Sequence, residues 1–270
     1  MIVTELNVYP IKSCAGTALR EAEITPRGVR HDRELMLITP DGTHLSQREV
    51  PGMALLRPVY DGEKLRVEPP DPSTLAPLTH EVRRDLPARD VTLFKAPHRG
   101  VDQGEEAADW FSTALGVACR LVCFPGDHVR RINPKHAVGE LRYADALPLL
   151  VTSAESLAEL NTRLADPVPM NRFRPNIVVS GWREPFEEDR VRRLRIGEVE
   201  VELVKPCGRC VIVNVDQATG VRHREPLRTL AGYRTVRTDK PRVIFGKSGL
   251  PRTPGTIRIG DPVVLLDGRA

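Results

Sequence analysis

Turn residues cut this chain into short pieces, and that punctuation restricts the folds open to it more than any other feature. Residues 2–9 alternate polar and apolar until Pro10, and residues 33–39 and 43–47 flank Pro40-Asp41-Gly42, a hairpin signal. Asp61-Gly62 precedes a further alternating run at residues 64–68. Residues 194–196 and 199–204 flank Gly197-Glu198, and the second run leads into Cys207-Gly208-Arg209-Cys210. The β-branched stretch 211–215 reads as another strand, as do 257–259 and 263–266, joined through Gly260-Asp261-Pro262. Two segments read as helices. Residues 105–115 open acidic and end at Gly116, while residues 153–164 carry Thr152…Glu155 as a capping box and Leu157, Leu160 and Leu164 at helical spacing. The expected fold is therefore α+β and β-rich. The Pro-rich stretch 68–77 reads as a loop, and a break near Phe124-Pro125-Gly126 divides the 270 residues into a β domain over 1–124 and an α+β domain over 125–270.

Composition narrows the function classes. Aromatic residues make up 4% of the chain, so its core is built from Leu, Val, Ile and Ala. The longest apolar run, about residues 146–151, falls far short of the roughly 18 residues that a membrane helix requires. The first residues lack the basic flank and apolar stretch of a secretory signal, so a cytoplasmic protein with no membrane partner is expected. Five cysteines, an odd number, argue against a disulfide framework. Net charge is +4, but residues 207–258 hold eleven Lys and Arg against three Asp and Glu, so this stretch carries +8. An anionic partner near the cysteine segment is implied. The basic residues are not interleaved with aromatics and no nucleic-acid-binding signature occurs, so nucleic acid is not the expected partner.

The Cys-x-x-Cys segment admits three readings: a redox couple, a soft metal ligand, or buried small residues. A redox pair sits at a helix N-terminus, whereas a β-branched run follows here, which weakens that reading. A zinc site needs more donors, and the other pair, Cys119 and Cys123, lies on one face of an expected strand at 117–124 and points into a core. For Cys210, flanked by Arg209 with Lys205 nearby, a stabilised thiolate competes with a buried strand cysteine. Several segments are candidates for binding an anion. Thr152 and Ser153 stand between a strand and a helix N-terminus, where free N–H groups favour phosphate, although a simple cap has the same sequence. Lys12-Ser13 follows the first strand, and Arg33 opens another. Arg172 and Arg174, two apart on what reads as extended chain ending in Asn176, are expected to share one face. No glycine-rich nucleotide loop, nucleophile elbow or paired-histidine zinc motif is present.

In their order, Val8-Tyr9-Pro10-Ile11-Lys12-Ser13-Cys14-Ala15-Gly16, Asp32-Arg33, Leu150-Val151-Thr152-Ser153, Arg172-Phe173-Arg174-Pro175-Asn176-Ile177 and Cys207-Gly208-Arg209-Cys210 with Val215-Asp216 and Thr219-Gly220 resemble MOSC-domain proteins. Gly246-Lys247-Ser248 and the run from Pro254 to Val263 match as well. The chain is similar to the amidoxime-reducing component group and its bacterial relatives. That resemblance implies an N-terminal MOSC β-barrel domain followed by a MOSC domain, a mixed β-barrel with few helices. It implies a molybdenum cofactor with Cys210 as catalytic residue and sole protein ligand to the metal, Cys207 standing nearby without coordinating. Lys12, Ser13 and Arg33 would hold the cofactor from one side. Thr152, Ser153, Arg172, Arg174, Asn176, Gly208 and Arg209 would hold it from the other.

The implied activity is reduction of N-hydroxylated compounds: hydroxylamines, amidoximes and N-hydroxylated bases. The chain ends shortly after Leu266 without the ferredoxin domain of some relatives and shows no N-terminal anchor. A separate electron donor of ferredoxin, flavodoxin or cytochrome type is therefore implied, and a soluble protein. Val213 and Asn214 stand where relatives often have Thr, so substrate contacts there are expected to differ. Asp216, before a turn, reads as structural. The rival expectation is a non-catalytic carrier of the molybdenum cofactor or of a persulfide on Cys210.

Overall fold

A computed structural model describes residues 1–237 and 241–267. Its main element is a nine-stranded sheet in the order Thr17–Leu19, Ile2–Val8, Ile177–Ser180, Leu149–Ser153, Arg242–Pro251, Val199–Gly208, Arg193–Ile196 and Val263–Leu265, with Thr235–Val236 added beside Arg242–Pro251. Leu149–Ser153 and Ile177–Ser180 run parallel, and the other pairs are antiparallel. The parallel pair requires a crossover, which includes helix α2, Ala154–Asn161. Val263 N donates to Met1 O at 2.9 Å and Val3 N to Asp261 O at 3.1 Å, so the far edge returns to the first strand and the sheet closes on itself. Val3, Leu6, Val151, Val179, Leu194, Val201 and Ile257 pack inside the closed sheet, the inward half of each alternation.

A second sheet, ordered Leu35–Ile38, Arg120–Cys123, Ala96–Asp102 and Ala88–Leu93, packs against helix α1, Glu105–Leu115. Helix α1 has its expected bounds, and Gly116 ends it in the left-handed conformation at φ 66°. Cys119 and Cys123 are both buried in the core beneath it, with Leu121 and Phe111. Although residues 1–124 read as one β domain, the strands Ile2–Val8 and Glu21–Thr25 pair with Ile177–Ser180 and Gly255–Arg258. The two halves of the sequence are thus joined by shared sheet.

Five local expectations are corrected. Residues 211–215 are not a strand: Val211–Asn214 form a 3-10 turn. The ladder between Val199–Gly208 and Arg242–Pro251 ends with Gly208 opposite Ile244, and the chain then turns to bury Val213 against Phe173 and Phe245. Packing has overridden β propensity. Arg33 does not open a strand but precedes one in left-handed backbone, φ 49°. Around Pro40-Asp41-Gly42 the turn forms, with Thr39 N donating to Thr43 O at 2.7 Å, but the second arm contributes only isolated bridges. The strands flanking Gly260-Asp261-Pro262 do not pair with each other: Gly255–Arg258 lies on Glu21–Thr25, and Val263–Leu265 on Arg193–Ile196. In α2 the cap is Ser153, which accepts from Ser156 N at 3.1 Å, one residue later than the expected Thr152. A third helix, α3, Leu227–Tyr233, was not expected.

Candidate functional site

A cavity of about 600 Å³ lies between the two halves, bounded by the loop after Ile2–Val8, the segment before Ile177–Ser180, and the end of Val199–Gly208. Pro10 ends the first strand, and the chain then turns through Ser13, at φ 68°. Gly16 is demanded here, since a Cβ would stand 2.4 Å from the Tyr9 ring. Lys12 N donates to Leu35 O at 2.8 Å, tying the turn to the second sheet. Its ammonium, almost wholly buried, donates to Tyr143 O at 2.9 Å and pairs with Asp145. Burial lowers its pKa against the opposing pull of Asp145.

Tyr9 organises two arginines. The guanidiniums of Arg33 and Arg174 each lie 4.3 Å from its ring centroid. Burial pushes the Tyr9 phenol up to about 12, so it stays neutral and donates to Pro175 O at 3.1 Å. Asp32 accepts from Tyr9 N at 2.9 Å and Asn176 Nδ2 at 3.1 Å and pairs with Arg33. Burial opposes the charge on Arg33, but Asp32 outweighs it and raises the pKa. Asn176 Oδ1 accepts from Arg33 Nη1 at 3.3 Å and Leu150 N at 3.2 Å. Arg174 donates to Cys14 O at 2.6 Å and has no ion pair among the described residues. Burial brings its pKa down to about 10.

The cysteine segment forms the opposite wall. Arg209 donates to Cys207 Sγ at 3.0 Å and Phe173 O at 2.7 Å, while its buried Nε has no partner among the described residues. Cys210 stands at the start of the 3-10 turn, and Arg48 Nη2 lies 3.5 Å from its sulfur. Arg48 is brought across by the loop 46–50. Gln47 donates to Ser13 O at 2.7 Å and pairs with Gln217, and Arg222 donates to Gln47 O at 3.0 Å. Among the described residues, seven cationic side chains line the cavity (Lys12, Arg33, Arg48, Arg174, Lys205, Arg209 and Arg242) against one carboxylate, Asp145. Such a wall attracts anions. Of the seven non-glycine residues with left-handed backbone among the described residues, Ser13, Arg33, Phe94 and Arg174 line this cavity, so backbone strain is concentrated at it.

The structure brings together Lys12, Ser13, Arg33, Arg174, Asn176, Gly208, Arg209 and Cys210. Thr152, Ser153 and Arg172 lie outside the cavity lining. Thr152 Oγ1 contacts Met170 Sδ at 3.4 Å, and the Ser153 hydroxyl is spent on capping α2. Arg172 and Arg174 do not share a face, because Met170–Arg172 is a 3-10 turn and Arg174 has φ 56°. Arg172 instead pairs with Asp216 at 3.0 Å, and Asp216 Oδ1 accepts from Ala218 N and Thr219 N at 2.9 and 3.0 Å, as a turn-forming residue does. His44, Arg48, Phe94, Asp145 and Arg242 were missed, while Lys205, expected near Cys210, does line the cavity. The basic run 207–258 pointed to the right wall but supplies only Arg209 and Arg242 of the seven cations.

The MOSC N-terminal beta barrel domain family matches residues 1–118, and the MOSC domain family matches residues 138–264. Mitochondrial amidoxime-reducing component 1 of Mus musculus is 37% identical over 98% of this chain and 82% of its own length. This chain belongs to the MOSC-domain family. Mitochondrial amidoxime-reducing component 1 of Homo sapiens is 36% identical, again over 98% of this chain and 82% of its own length. Among solved structures, the YUAD protein from Bacillus subtilis aligns over 97% of this chain and 93% of its own at 10% identity, with a TM-score of 0.41. Among the described residues of this MOSC-domain chain, no helix is long and apolar enough to cross a membrane.

Proposed function

We propose that this chain reduces N-hydroxylated compounds and that its cavity holds a molybdenum cofactor, a pterin dithiolene with a terminal phosphate. The observation that carries the reading is the wall of the cavity, which among the described residues sets the Cys210 thiol with seven cationic groups and a single carboxylate. The donor chemistry fits. Among the described residues no group of three or more His, Cys, Asp or Glu side chains is placed to hold a metal ion, so a metal beside Cys210 needs most of its ligands from a bound molecule. Arg209 Nε without a hydrogen-bond partner and Arg174 without an ion pair among the described residues favour an anionic one.

In this reading Cys210 binds the metal and Arg48 sets a positive charge and an N–H beside its sulfur. Lys12, Ser13 and Arg33 bind from the first half of the chain, and Arg174, Gly208 and Arg209 from the second. Asn176 acts through Arg33, whose guanidinium it orients. When bound, the cofactor supplies the two-electron redox chemistry. The net reaction breaks the N–O bond, consumes two electrons and two protons, and releases water with the dehydroxylated product, an amine from a hydroxylamine or an amidine from an amidoxime. Electrons come from a separate protein of ferredoxin, flavodoxin or cytochrome type. The relatives, by name amidoxime-reducing, support this activity.

The test measures molybdenum and pterin in the purified protein, then turnover of benzamidoxime with a chemical reductant. Both are expected. Cys210→Ser is expected to lose molybdenum and turnover while the circular-dichroism spectrum is kept. Retention of both by that variant would overturn the ligand assignment, and a loaded protein that reduces no N-hydroxylated compound would favour a carrier.

A further inference from the structure

The strands Ala88–Leu93 and Ala96–Asp102 pair with Leu93 opposite Ala96, so Phe94 and Lys95 form a two-residue turn. Both have left-handed backbone, at φ 53° and 65°, a geometry that such turns usually give to Asn and Gly. A bulky aromatic ring therefore occupies a position where a small residue is better accommodated. Of the six phenylalanines, Phe94 alone is exposed, at 39%, and it belongs to none of the hydrophobic cores. Its ring lines the cavity, 5.1 Å from the His44 ring in an edge arrangement and 4.8 Å from the Lys12 ammonium. The fold does not need this side chain, and the turn is strained to place it. Exposed aromatic surface held in that way at a cavity is suited to a planar ligand group.

Resting on the reductase reading, we propose that Phe94, backed by His44, selects the organic group of the substrate. The favoured class is neutral, planar and π-bonded: aromatic amidoximes and N-hydroxylated heterocycles. Small aliphatic hydroxylamines have no face to stack, and protonated amines are repelled by the cationic wall.

Cofactor-loaded protein is compared with Phe94→Asn, which suits left-handed backbone and so protects the fold, and with Phe94→Tyr. Phe94→Asn is expected to lower kcat/KM for benzamidoxime about tenfold, chiefly through KM, which is the order of one aromatic pair. Turnover of hydroxylamine is expected to be unchanged, and Phe94→Tyr to restore benzamidoxime. Calorimetry with benzamide, planar but without the N–OH group, is expected to show a similar weakening in Phe94→Asn. Equal losses on benzamidoxime and hydroxylamine would mean that Phe94 merely shields Lys12, and would overturn the proposal. Unchanged benzamide binding in Phe94→Asn would overturn it as well. Benzamide binding that depends on Phe94 in a protein that reduces neither substrate would leave the aromatic subsite standing and sink the reductase reading.

Discussion

Glu34 carries a test of how the segment next to Arg33 is held. Its carboxylate is 2% exposed, with Arg84 Nη2 at 2.7 Å, Arg142 Nη2 at 2.8 Å and His31 Nδ1 at 3.3 Å. Burial favours the neutral acid, but His31, Arg142 and Arg84 together outweigh it and bring the pKa down from 4.5 to about 2. A shift of that size corresponds to about 3 kcal/mol of folding stability at neutral pH, at about 1.4 kcal/mol per pH unit. Because the folded pKa is the lower one, this stability is complete above the unfolded value of about 4.5. It is lost as pH falls through about 2, and at pH 3 about 2 kcal/mol has gone.

Glu34→Gln keeps the shape but removes the buried charge that the partly buried Arg142 and the more exposed Arg84 face, which is expected to cost about 3 kcal/mol at pH 7. Urea unfolding followed by circular dichroism at pH 7, 5 and 3 measures the gap between the two proteins. It should hold from pH 7 to 5 and narrow to about 1 kcal/mol at pH 3. A gap that stays constant to pH 3 would refute the electrostatic account and leave only a packing defect. Glu34 follows Arg33 directly, so Glu34→Gln is also expected to lower cofactor retention at pH 7 even in the folded fraction.

Two further outcomes follow from groups elsewhere. Glu188 is fully buried, takes hydrogen bonds from the Ser156 hydroxyl at 3.0 and 2.9 Å, and is pushed up to about 7 by burial and by Asp189, with Arg234 opposing. A raised carboxyl contributes stability below about pH 4.5 that is lost as pH rises through about 7. Glu188→Gln is therefore expected to stabilise the protein by up to about 3 kcal/mol at pH 8 and by little at pH 4, as read from unfolding midpoints. Arg172→Met is expected to cost about 2 kcal/mol through loss of the Asp216 pair, yet to leave molybdenum content unchanged; a drop in metal at full folding would return Arg172 to the site.

What was legible in the sequence was mostly what is local. The acidic start and Gly116 stop of Glu105–Leu115 fix a helix with no help from the rest of the chain. Lys64–Glu68 and the hairpin through Gly197-Glu198 follow from alternation and turn chemistry alone. Val211–Asn214 defeated the same logic, because its β-branched residues answer to Phe173 and Phe245, more than 30 positions away in either direction. Arg172 and Arg174 misled for a related reason: sequence spacing converts to side-chain direction only when the backbone conformation is known. The site followed the same division. Lys12, Ser13, Arg33, Arg174 and Cys210 stand in recognisable motifs, whereas Arg48, His44 and Phe94 sit in segments with no periodicity or spacing to mark them. Arg48 reaches Cys210 across 162 positions, and only tertiary structure closes such a gap.

The pairing of Ile2–Val8 with Ile177–Ser180 sets an order of events during synthesis. Ile2–Val8 can pair at once with Thr17–Leu19 on one side, but its partner on the other side is made more than 160 residues later. At about 5–20 residues per second, that delay is on the order of ten seconds or more. Through this interval the apolar side of the strand, Val3, Leu6 and Val8, has Ala22, Ile24 and Val29 from its cluster but lacks the later members, from Leu149 to Val263, that complete its burial. Nascent chains stalled before residue 177 are thus expected to be good chaperone clients, and the lining of the cavity cannot be complete until Arg242 and Ser248 have emerged.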